Sequence, residues 1–129
     1  MTKKRLLFLY SGDFNTKILA GYILDKLDTS RIIVVEDHSM NISKVFRLIR
    51  KRRVQPTWLA RQYIAGRRQR SILKPIAMPS SEQKIQNQQD LLSILNKHPE
   101  IVKIFAFRAG LILGKKILQR VYCVNTHYA

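Results

Sequence analysis

The sequence predicts an α/β fold: a Rossmann-like, mostly parallel sheet with helices on both faces. Three observations carry that expectation. Apolar runs occur at Leu6–Tyr10 and Ile32–Val35, as strands buried on both faces require, and Ile101–Phe107 is a further, mostly apolar strand segment. Between them lie segments whose apolar residues recur at helical spacing. Turn chemistry marks the junctions, notably Ser11-Gly12-Asp13 and Pro99. The resulting β-α-β-α-β-α-β-β order implies right-handed crossovers and a doubly covered sheet.

Taken in order, Arg5 to Tyr10 reads as the first strand, central in the sheet, with Val34 and Phe105 on strands beside it. Asp13 is a plausible N-cap for a helix over Phe14 to Leu27, whose Ile18, Leu19, Tyr22, Ile23 and Leu27 share one face. Arg31 to Glu36 is the second strand. Asn41 or Ser43 caps a basic helix reaching about Arg53, and Pro56 permits a second helix running to about Ala65, before Gly66. Ile72 to Ala77 is a weak, Pro-interrupted strand, Pro79 to Asn87 a polar loop, and Arg67 to Arg70 a candidate mobile segment. A helix starts at Asn87 or Asp90 and ends at Pro99. Ile101 to Phe107 and Val121 to Val124 are the last strands.

With 129 residues and 46% hydrophobic content, the chain can bury one core, so residues 1–129 are read as one domain. The lone Cys123 excludes an internal disulfide and fits a reducing compartment. The basic and apolar start imitates a signal peptide, but Ser11-Gly12-Asp13 interrupts the apolar run too early. Lys103, Arg108, Lys115 and Lys116 break the most apolar region, so no membrane span is expected, and the chain is read as soluble and cytoplasmic.

The formal charge of +16 is concentrated: no Asp or Glu occurs between Asp37 and Glu82, while Lys44, Arg47, Arg50–Arg53, Arg61, Arg67, Arg68, Arg70 and Lys74 do. Such a surface attracts polyanions: nucleic acid, phosphorylated small molecules or acidic lipid. Phe46, Trp58 and Tyr63, together with Val45, Leu48, Ile49, Leu59 and Ile64, are spaced as the buried side of helices rather than as a base-stacking platform. A dinucleotide Gly fingerprint and a Walker loop are absent, and no Cys or His pair has metal-ligand spacing. Asp37 and His38 follow a strand and could touch a ligand, with a turn role the simpler reading.

The chemical site lies at the other end. Asn125 and His127, two residues apart at the carboxyl end of an apolar run, project to the same side of an extended backbone. An amide donor beside an imidazole can hold an oxyanion while a proton moves. Upstream, Phe105–Phe107 runs into Gly110-Leu111-Ile112-Leu113, then Lys115-Lys116-Ile117-Leu118, then Asn125-Thr126-His127. With Ser11-Gly12-Asp13-Phe14 near the start, this order resembles the N-terminal catalytic domain of the folate-dependent formyltransferases. That superfamily includes methionyl-tRNA formyltransferase, glycinamide ribonucleotide transformylase and the sugar N-formyltransferases.

The resemblance implies transfer of a formyl group from 10-formyltetrahydrofolate, as co-substrate, to a primary amine. It implies that Asn125 and His127 are catalytic and that Leu111, Ile112 and Leu113 contact the pterin. It also implies that Ser11, Gly12 and Asp13 meet the amine. The family further uses an Asp well beyond the His and a Ser-Leu-Leu-Pro type segment, neither of which this sequence contains. On that comparison the sequence reads as a C-terminally truncated, catalytically silent portion of such a domain, with its sheet incomplete and an apolar edge prone to self-association. The expected substrate is a small anionic amine of sugar-nucleotide type, and the Lys44–Lys74 segment would also suit tRNA. The alternative is a basic α/β module that binds nucleic acid and catalyses nothing.

Overall fold

A computed structural model describes residues 3–39, 46–47, 49–53, 55–72 and 83–126. Strand β1 (Arg5–Ser11) is the centre of a five-stranded sheet in which every pairing is parallel. β2 (Ile32–Asp37) and β4 (Ile101–Phe107) flank it, with Phe8 opposite both Val34 and Phe105. β3 (Gln83–Ile85) pairs with the outer side of β2, and β5 (Tyr122–Thr126) with the outer side of β4. The order β3-β2-β1-β4-β5 is that of a Rossmann-like α/β fold. Where the sequence suggested these neighbours for the first strand, the pairing agrees.

The pleat divides the core. Leu7 and Leu9 project to one side with Val35, Ile85 and Ile104, and meet Leu91, Ile94 and Leu95 of helix α3 (Gln88–Lys97). Ile117 of the short helix α4 (Lys115–Leu118) completes that side. Phe8, Tyr10 and Val34 project to the other and meet Ala20 and Leu24 of helix α1 (Phe14–Asp25). Phe8 stacks on Phe105 with 5.6 Å between ring centroids. A fully buried Leu or Phe contributes about 1.5–3 kcal/mol through burial alone, so the two clusters around β1 dominate the stability.

Local chemistry sets the helix ends. Asp13 accepts a hydrogen bond from the Thr16 N–H (2.9 Å) and caps α1 as its position in the sequence suggested. Asn87 accepts from the Asp90 N–H (2.9 Å), while Asp90 accepts from the N–H of Gln86, just before the cap (2.9 Å), and together these bonds start α3. Leu27, expected on the buried face of the first helix, lies beyond its end and is exposed.

Three expectations need correction. Helix α2 spans Pro56–Ile72, past Gly66, and so includes the Arg67–Arg70 segment expected to be mobile. A single interior Gly costs about 1 kcal/mol, which helix-favouring Arg and Gln neighbours offset. The Pro79–Asn87 stretch read as loop contains β3, three residues held by pairing with Val35–Asp37 and by the buried Ile85. Phe46, Trp58, Tyr63 and Ile64, expected on buried helical faces, are exposed. The apolar residues of α2 are spread around its circumference, so no single stripe can face the core. Ile72 ends α2, whereas positions 73–77 of the strand proposed there, the caps Asn41 and Ser43, and Lys44, Val45, Leu48 and Lys74 lie outside the described residues.

Candidate functional site at the carboxyl ends of the strands

In a sheet of this order the connections leave β1 and β4 in opposite directions, and ligands bind in the crevice beyond the strand ends. Three loops meet there: Gly12–Asp13 after β1, His38–Ser39 after β2, and Arg108–Gly114 after β4. Asp37 joins them. It is 4% exposed, and its Oδ1 accepts from the Ser39 N–H at 2.7 Å while its Oδ2 accepts from the Leu111 N–H at 2.8 Å. Its own carbonyl accepts from the Gly12 N–H at 3.0 Å. The turn role suggested for Asp37 is present in the Ser39 contact, and the bond to Leu111 adds an anchor across the sheet.

Beside it, Glu36 is buried and meets His38 Nε2 at 3.1 Å and Lys17 Nζ at 3.7 Å. A Cβ at Gly12 would lie 3.1 Å from both Glu36 Oε1 and His38 Nε2, so any larger residue there would push these side-chain ends aside by a few tenths of an ångström. Asp13 spends a carboxylate oxygen on the α1 cap, and Ser11 sits in β1 opposite Asp37.

A cleft of about 460 Å³ opens between the loop after β4 and the start of α3, lined by Ser39, Gln86, Asn87, Gln88, Gln89, Gly110, Leu111 and Ile112. Leu111 is buried and forms its floor; Ile112 is 78% exposed at its rim. Leu113 instead packs on the core cluster. Gln88 Oε1 accepts from the Gly114 N–H (3.0 Å), tying α3 to the far end of the loop, and a Cβ on Gly114 would collide with that Oε1. Arg108 adopts the left-handed region (φ 53°) as β4 ends, an uncommon conformation for a side-chain-bearing residue, and its N–H donates to the Thr126 carbonyl at 3.3 Å.

Of the residues singled out from sequence, Leu111 and Ile112 therefore share the cleft. Ser11, Gly12, Asp13, Leu113 and Asn125 do not line it. Asn125 lies in β5 opposite Ala106, on the same side of the sheet as Ile104 and the α3 core, and is exposed. His127 lies outside the described residues. Among the described residues no His, Cys, Asp and Glu group has metal-binding geometry, and no helix is long and apolar enough to cross a membrane. Sequence reasoning missed the anchoring parts played by Asp37, Glu36 and Gln88. For the first two, the available signal was a pair of carboxylates directly following the apolar Ile32–Val35 run, where burial demands partners.

Comparison of the chain with family models, with curated proteins and with solved structures gave no match.

Proposed function

We propose that this fold serves formyl transfer, with the cleft holding the pterin of 10-formyltetrahydrofolate and the end of β5 serving the reacting carbon. The observation that supports the reading is the Asp37–Leu111 bond. It anchors the loop after β4 at Leu111, beside a cleft lined by Leu111 and Ile112 on one side and by Gln86, Asn87 and Gln89 on the other. Such a lining complements a flat heterocycle whose edge alternates donors and acceptors.

In this mechanism the amine nitrogen attacks the formyl carbon. A C–N bond forms as the carbonyl oxygen takes the electron pair. Asn125 donates to that oxyanion and His127 carries the proton from the amine toward N10 of the folate, whose bond to carbon then breaks. Binding of the folate in the cleft precedes this step and is the property that can be measured first. The amine would be small and anionic, drawn by the field of a +16 chain.

The test is titration of the protein with 5-formyltetrahydrofolate, a stable isomer of the co-substrate, by calorimetry. Saturable one-to-one binding is expected, and Ile112→Asp should weaken it by placing a charge at the cleft's exposed apolar rim, with the far-ultraviolet dichroism unchanged. Absence of binding by the parent protein overturns the reading.

A second reading, in which the chain is a basic module that engages nucleic acid, is favoured by one observation: Trp58 and Tyr63 stand exposed on an arginine-rich helix.

A further inference from the structure

We propose that the outward face of α2 is a stacking surface for single-stranded nucleic acid. The proposal deepens the second reading and rests on it, and is independent of formyl transfer. α2 packs against α1, which covers the opposite side of the sheet from α3 and its cleft. Among the described side chains of α2, Leu59 alone is half-buried, and the rest are exposed. At 3.6 residues per turn, Trp58 and Tyr63 stand about 140° apart on either side of Leu59. The remaining, outward arc runs Trp58, Arg61, Arg68, Ile64, Arg67, Tyr63. Trp58 is 53% exposed and Tyr63 is 63% exposed. The Arg67 guanidinium lies 6.0 Å from the centre of the Tyr63 ring.

Two features choose the partner. The acid-free interval from His38 to Ser81 makes the surface a polyanion site, and its rings can stack on any base face. An anionic membrane would instead require apolar and basic residues on separate faces, whereas here they alternate around the helix. A duplex hides its base faces, so stacking selects single strands.

Trp58 is the only tryptophan, which makes it a built-in reporter of the site. The full chain is titrated with oligouridylate, oligodeoxythymidylate, a duplex of equal length, heparin and phosphatidylserine vesicles, reading Trp58 emission and fluorescence anisotropy of labelled strands. Quenching of Trp58 by either single strand, with affinity falling as salt rises, is the expected result; heparin should bind without quenching. Trp58→Ala, read by anisotropy, and Tyr63→Ala should each weaken single-strand binding about tenfold, since stacking is worth about 1–3 kcal/mol per base. Arg61→Ala with Arg68→Ala should flatten the salt dependence. No binding to any nucleic acid overturns the second reading itself. Binding that is equal for duplex and single strand, or indifferent to Trp58→Ala and Tyr63→Ala, keeps that reading and overturns the stacking surface. A blue-shifted emission with vesicles alone assigns the helix to a membrane surface instead.

Discussion

Asp37 is the residue on which the site's geometry turns, because one buried carboxylate satisfies two backbone N–H groups on different loops. Asp37→Ala leaves the buried Leu111 N–H without its acceptor, and the cost should be about 3 kcal/mol in denaturant unfolding, with loss of ligand binding in the cleft. Glu100 provides a pH test. Its own backbone N–H holds its carboxyl below the usual range, and His98 and Arg5 add to this. A depressed folded-state value means the stabilisation is complete above the ordinary Glu value and is lost as pH falls through the folded value. Glu100→Gln should therefore lower stability slightly at neutral pH, leave the acid end unchanged, and so flatten the acid limb of the stability–pH curve. Cys123 behaves oppositely: burial pushes its thiol up, so it should alkylate more slowly at pH 8 in the folded than in the denatured chain.

At the scale of elements, α3 and α2 are opposite cases. α3 presents Leu91, Ile94 and Leu95 to the sheet as one stripe and carries the Asn87 cap, so both its position and its start were readable. Removing the cap with Asn87→Ala should cost about 1 kcal/mol of stability and loosen the cleft wall, read by thermal unfolding and by ligand titration. α2 has apolar residues of the right kind without a stripe, and the spacing that was read as a buried face does not form one. α2 lies against α1, with Leu59 half-buried and Trp58 and Tyr63 exposed, a division that the sequence of α2 does not mark. β3 escaped detection for a related reason. Three residues carry too little pattern to signal a strand, and pairing with the edge of β2 creates it.

For the whole molecule, the sheet is held by apolar contacts on both sides of β1. Phe8→Ala should cost about 3–5 kcal/mol, because the ring is enclosed by Tyr10, Phe105 and Phe107 and its loss leaves a cavity. Among the described strands β5 has a partner on one side alone, with Tyr122 exposed and Val124 half-buried. An edge of this kind recruits further strands. Sedimentation should show concentration-dependent association of the 129-residue chain, reduced by Val124→Lys; a monomer at all concentrations would count against an open edge at β5.

The parallel sheet, the central place of the first strand and most helix limits were legible because they depend on local periodicity and on caps a few residues apart. Continuous apolar runs such as Leu6–Tyr10 have no stable location except between two covered faces. The site was legible only in part. Leu111 and Ile112 were identified from their order along the chain, and they do share a cleft, but its wall comes from Gln86–Gln89, which no local pattern marks. The bond from Asp37 to Leu111 spans 74 positions, and the exposure of Trp58 and Tyr63 is not marked in the sequence of α2. Both are decided by packing between distant segments, where burial and hydrogen-bond satisfaction are properties of the assembled fold and not of any stretch of sequence.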